Sequence, residues 1–205
     1  MQSETARIEA FSDGIFAIAI TLLILEIKIP GQQERGHLAA ALLRQWPSYL
    51  AFFLSFAYIG IMWINHHRMF NHIKRADDVV LVLNLLLLLG VTAVPFPTAV
   101  LAEHLGGPDQ RTAAIVYNAT FVVIAIAFNL LWRYAVKRGL LHEHLASSSA
   151  ANISSQYAVG PLMYVGCLVL AWFNVKASVM ANIALALFFA LPPSLMKKHD
   201  SSASS

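Results

Sequence analysis

Asp13 is a carboxylate set at the edge of a long apolar run, and a carboxylate there needs partners. The run opens Arg7-Ile8-Glu9-Ala10-Phe11-Ser12-Asp13-Gly14 and continues from Ile15 to Leu25 with Thr21 as its one polar side chain. A charged group at a bilayer centre costs about 2.5–3.5 kcal/mol on insertion scales, so Asp13 must sit near an interface or be paired. Arg7, six residues earlier, lies roughly 120° away around a helix of 3.6 residues per turn, so the two cannot pair simply along one face. A second segment has to contribute. Trp63, Asn65, His66, His67 and Arg68 close the second apolar run, and Asn84 lies early in the third. Trp63 and His67 are four apart and share a helix face. Arg7, Ser12, Asp13, Trp63, His66, His67 and Asn84 therefore form one candidate polar network. Its chemistry is either a proton relay or ion site, or hydrogen-bonded glue between helices.

The same first run carries a second pattern. Phe11, Ile18, Leu22 and Leu25 follow steps of seven, four and three, which places them on one helix face. Such a face can pack in a core, face lipid, or line a pore as an apolar constriction. Other chemistry is poorly represented. His142-Glu143-His144 lacks the spacing of metal ligands on one helix face. Cys167 is the single cysteine and makes no intrachain disulfide. No Ser/His/Asp arrangement, phosphate-cradling glycine loop or carboxylate pair is found, so the expectation is that the protein is not an enzyme and needs no cofactor. The potassium-filter sequence Thr-Val-Gly-Tyr-Gly is absent, so any selectivity must arise by other means.

The elements that must position these residues are helices in lipid. The chain has 205 residues, 58% hydrophobic and 12% charged, against about 25% charged in an ordinary soluble domain. The apolar residues come in runs of about 20, the length needed to span a bilayer. These predict an all-α integral membrane protein, a single six-helix domain over residues 1–196 with a disordered tail at 197–205. The spans are expected at about 8–29, 47–69, 78–101, 112–134, 157–175 and 177–195. Pro47 opens the second span, Pro95-Phe96-Pro97 distorts the end of the third, and Asn174-Val175-Lys176 joins the last two in a tight antiparallel pair. The polar stretch from Lys137 to Gln156 is expected to link spans four and five. The first run lacks a basic leader and a small-residue cleavage site, so it is expected to be retained as a span. No internal repeat is visible. With six spans, nine Lys and Arg residues fall on the side of the termini and five on the other. This predicts a multi-pass cell-membrane protein with both termini cytoplasmic. No basic patch interleaved with aromatics supports nucleic-acid binding.

Arg7-x-x-x-Phe11-Ser12-Asp13-Gly14, Trp63-Ile64-Asn65-His66-His67-Arg68-Met69-Phe70 and Asn84 through Pro95-Phe96-Pro97-Thr98 resemble the motifs of the transmembrane protein 175 family, the lysosomal potassium channels of animals and their bacterial relatives. The resemblance covers the first three spans. It implies a potassium-permeable cation channel with six helices per repeat. One repeat per chain resembles the bacterial branch and implies a homotetramer, with the first helices lining a central pore. By the same resemblance Ile18 forms the narrowest ring, Leu22 and Leu25 follow on the pore, and Thr21 supplies a hydroxyl. A second family hydroxyl falls on Ala17, which implies modest selectivity for potassium over sodium. The competing reading is a proton-coupled secondary transporter using Asp13 and the inner histidines. Transporters of that kind commonly show paired repeats and helices broken at mid-membrane.

Overall fold

Runs of apolar residues bounded by proline and charge fold into helices in the computed structural model, which describes residues 4–31, 36–142 and 147–190. The elements are α1 (Glu4–Leu22, continued by a 3-10 turn Leu23–Glu26), α2 (Leu38–Arg44), α3 (Trp46–Phe70), α4 (Asp78–Ala93), α5 (Pro95–His104), α6 (Gln110–Lys137), α7 (Ser147–Phe173) and α8 (Val175–Ala190). Among the described residues, four stretches are long and apolar enough to cross a membrane: Thr5–Glu26, Trp46–Phe70, Asp78–His104 and Gln110–Lys137. The last two apolar helices, Val159–Phe173 and Val175–Phe189, are shorter.

Local chemistry explains the boundaries. Pro47 sits in the first turn of α3, where its missing N–H is not needed. Asp77 caps α4 by accepting from the Val80 amide at 3.0 Å, satisfying one of the orphan donors of the first turn. The helix pauses at Val94 and resumes with Pro95 as α5, so the expected break in the third span is present. Asn174 alone separates α7 from α8 and accepts from the Ala177 amide at 3.1 Å.

The stretch after the first span holds the short helix α2. The Ser-rich stretch before the fifth span is largely helical, since α7 starts at Ser147. Alanine and serine tolerate a helix, and part of the stretch is docked: the Trp132 indole donates to the Ser154 hydroxyl at 2.9 Å. Pro161 lies inside α7 and cannot bond the carbonyl four residues back, that of Tyr157. The Asn129 amide of α6 donates to that carbonyl at 2.8 Å, so the break is satisfied from a neighbouring helix. The expected tail at 197–205, Pro192-Pro193, and Glu143 and His144 of the histidine loop lie outside the described residues.

α6 is the central post and packs on α4, α5, α7 and α8. A Cβ at Gly90 of α4 would lie 2.7 Å from Ile124 Cγ1, so this glycine sets how closely α4 approaches α6. Buried polar clusters hold the bundle together. The Tyr58 hydroxyl donates to Asn182 Oδ1 at 2.9 Å, and Asn182 Nδ2 donates to Asn118 Oδ1 at 3.0 Å. Asn118 Nδ2 reaches Ser178 Oγ at 3.2 Å. Ser55 Oγ lies 2.8 Å from Thr98 Oγ1 and 3.1 Å from the Tyr117 hydroxyl. α1 stands at the edge of this bundle, against α3 and α4, with its 3-10 turn touching α5.

Candidate functional site

α1 has two unlike faces. Ser12, Phe16, Ala19 and Leu23 recur at helical spacing and are buried, forming the stripe that meets α3 and α4. Phe11, Ile18, Leu22 and Leu25 point the other way and are 56%, 60%, 40% and 64% exposed. So the face singled out in the sequence is left largely exposed among the described residues. Thr21 is exposed beside it and donates its hydroxyl hydrogen to the Ile18 carbonyl at 2.9 Å. That bond leaves the hydroxyl oxygen lone pairs outward. Ala17 borders an apolar groove of about 370 Å³ between α1 and α3, with Asp13 among its lining residues.

On the packed side the polar residues divide into two sets. The buried set is a chain across three helices. Asn84 Nδ2 of α4 donates to Ser12 Oγ at 3.0 Å, and Ser12 Oγ donates to the Ile8 carbonyl at 2.8 Å. Asn84 Oδ1 lies 2.9 Å from His66 Nε2 of α3. An amide oxygen only accepts, so His66 Nε2 carries the proton. The imidazole is fully buried, stacks on Phe70 at 4.5 Å between ring centroids, and leaves Nδ1 without a hydrogen-bond partner among the described residues. The outer set is a two-rung ladder. The Trp63 indole donates to Asp13 Oδ1 at 2.8 Å, and His67 Nδ1 pairs with the Glu9 carboxylate. Asn71 Nδ2 holds the far side of the His67 ring at 3.1 Å. Both rungs join residues four apart on α1 to residues four apart on α3, running antiparallel.

The structure joins Ser12, Asn84 and His66 in one set and places Asp13 on Trp63 and His67 on Glu9 in the other. It does not bring in Arg7, which is exposed and makes no ion pair with Asp13 in the chain. The angular offset between the two residues is the reason, and Glu9 takes the place assigned to Arg7. Glu9 was legible: it is four residues before Asp13, matching the spacing of Trp63 and His67. The amides and hydroxyls of Asn118, Asn129, Ser178 and Asn182 were also overlooked, although Ser178 and Asn182 sit four apart in an apolar helix. Among the described residues no group of three or more His, Cys, Asp or Glu is placed to hold a metal ion.

The chain has counterparts among known proteins. Residues 7–95, from Arg7 through α4, match the family described as endosomal/lysosomal potassium channel TMEM175. A potassium channel of Chamaesiphon minutus is 50% identical over 193 residues, covering 93% of this chain and 95% of the relative. This chain belongs to the TMEM175 family. A potassium channel of Streptomyces collinus is 44% identical over 91% of this chain and 92% of its own length. The human family member, named an endosomal/lysosomal proton channel, is 35% identical over 67% of this chain, and the match spans 28% of the human protein. The crystal structure of the Chamaesiphon minutus TMEM175 homologue, described as a lysosomal potassium-selective channel homologue, superposes with a TM-score of 0.85 at 49% identity over 92% of this chain and 97% of that one. The TMEM175 likeness therefore extends through α6, α7 and α8, beyond the three spans that carry the motifs.

Proposed function

We propose that this TMEM175 chain forms a potassium-permeable cation channel as a homotetramer of six-span subunits in the cell membrane, with both termini cytoplasmic. The observation that carries the reading is the two-faced α1, buried along Ser12, Phe16, Ala19 and Leu23 on one side, apolar and exposed along Phe11, Ile18, Leu22 and Leu25 on the other. One such helix cannot enclose an axis, and several copies can. The potassium-channel names of the bacterial relatives support the permeant ion. The excess of Lys and Arg at one end of the spans supports the orientation, and protease access to a C-terminal tag in intact cells tests it.

In this reading Ile18 side chains meet on the axis and make the narrowest, driest ring. An apolar constriction bars ions by dewetting. Potassium sheds water more readily than sodium, so such a ring passes potassium better. Thr21 oxygens, a turn further along, replace part of the lost water. The ladder of Asp13–Trp63 and Glu9–His67, with Ser12–Asn84–His66 behind it, holds α1 at a fixed rotation against α3 and α4, so the apolar face stays turned to the axis.

Ion flux from liposomes holding purified protein tests the function. A channel gives passive potassium current that follows the electrochemical gradient without a coupled ion. Saturable, electroneutral potassium–proton exchange supports the transporter that Asp13 and the histidines suggested. Because the human relative is named a proton channel, the same vesicles should also be tested for proton current under a potassium-free gradient.

A further inference from the structure

A second polar feature lies at the opposite end of the bundle from the ladder, and conduction has no use for it. The start of α6 and the turn between α7 and α8 enclose a cleft of about 340 Å³ lined by Pro108, Gln110, Arg111, Phe173, Asn174, Val175 and Lys176. Two cations line it, and among the described residues no carboxylate does. Neither Arg111 nor Lys176 has an ion pair or hydrogen bond among the described residues. Bringing like charges into one cleft is unfavourable unless something negative joins them.

The positions of these cations are fixed by the helices that carry them. Lys176 is the one charged residue between 147 and 190, and no charge follows Arg111 until Arg133. Arg111 opens a helix that carries no further charge until Arg133, and Lys176 opens one that carries no other charge, so each is held at the interface, where long basic side chains reach the headgroups. Beside them Trp172 and Phe173 are 59% and 78% exposed, as befits aromatic residues at a membrane–water boundary. Asn174 spends its Oδ1 on the Ala177 amide, which leaves its NH2 as a donor at the cleft. Asp109 stands at the N-cap of α6 without a side-chain capping bond, and its carboxylate borders the cleft without lining it.

We propose that this cleft binds the phosphate of an anionic phospholipid, with Arg111 and Lys176 on the phosphate oxygens and the acyl chains along Trp172 and Phe173. A zwitterionic headgroup brings its own cation and is disfavoured by two unneutralised ones. The inference rests on the membrane-spanning arrangement of α6 to α8 and not on conduction, so its failure would leave the channel reading untouched.

Native mass spectrometry of the protein released from nanodiscs of mixed phosphatidylglycerol and phosphatidylcholine tests it. Wild type should retain phosphatidylglycerol over phosphatidylcholine by roughly tenfold or more, the order expected of two basic residues at the interface. The double variant Arg111→Gln/Lys176→Gln should lose most of that preference. Arg111→Lys/Lys176→Arg should keep it, as should Arg133→Gln/Lys137→Gln at the other end, and the intact oligomer mass in each spectrum shows that the variant is folded. Three results would overturn the proposal. The neutral double variant keeps the preference, the Arg133/Lys137 control loses it equally, or millimolar inorganic phosphate displaces the lipid and so identifies a free-phosphate site.

Discussion

Asn84 does more for α1 than its single amide suggests. It donates to Ser12 and accepts from His66, and all three are buried. Asn84→Leu keeps the volume but strands the Ser12 oxygen and the His66 N–H in an apolar setting. Leaving a buried group unpaired costs about 1–3 kcal/mol. We expect a matching fall in thermal stability in detergent, with loss of assembled channel, while the channels that do assemble keep their ion preference. A variant that assembles normally and changes only selectivity would make this chain a permeation site. The residue types at Ser12, Asp13, Trp63 and Asn84 were readable because polar groups in apolar runs must find each other. The choice between Arg7 and Glu9 was not settled by that demand alone, since it turns on the rotation of α1 against α3.

At the scale of elements, joints between helices carry the testable energetics. Asp77 caps α4, and the Val80 amide, helped by the Tyr134 hydroxyl at 2.8 Å, holds its carboxyl below the usual aspartate range. A carboxyl lowered in the folded state stabilises above its unfolded pKa, near 3.9, and loses that contribution as pH falls through the folded value. Thermal midpoints measured from about pH 6 down to pH 3 should therefore drop more for wild type than for Asp77→Asn; parallel curves would remove Asp77 from the account. Gly90 is a different kind of joint. Gly90→Ala sets a methyl 2.7 Å from Ile124 Cγ1, and overpacking of this kind costs about 1–3 kcal/mol. The cost should shrink when the substitution is made in an Ile124→Ala background, because the clashing atom is gone; an equal cost in both backgrounds would place the strain elsewhere. The helices themselves were legible from apolar length, and the break at Pro95 from proline chemistry. The helix through the Ser-rich stretch was not, because its docking depends on Trp132, and the tolerance of Pro161 depends on Asn129, both on another helix.

For the whole molecule, α1 stands at the bundle edge with an exposed apolar face, and the proposed pore sets four copies of that face around one axis. The oligomer mass in mild detergent should be four times the 22.5 kDa chain; a monomer that still conducts would refute the shared pore. The measurement that bears most directly on the central claim is single-channel current and reversal potential under opposed potassium and sodium for Ile18→Asn. Ile18 and Ile24 are both exposed, at 60% and 53%, but Ile24 lies on the 3-10 turn that continues α1 and is off the line of Phe11, Ile18, Leu22 and Leu25. The account predicts that Ile18→Asn wets the ring, raises conductance and moves the reversal potential toward zero, while Ile24→Asn leaves both near wild type. Unchanged conductance and selectivity in Ile18→Asn would contradict it, because the pore would then not run along this face of α1.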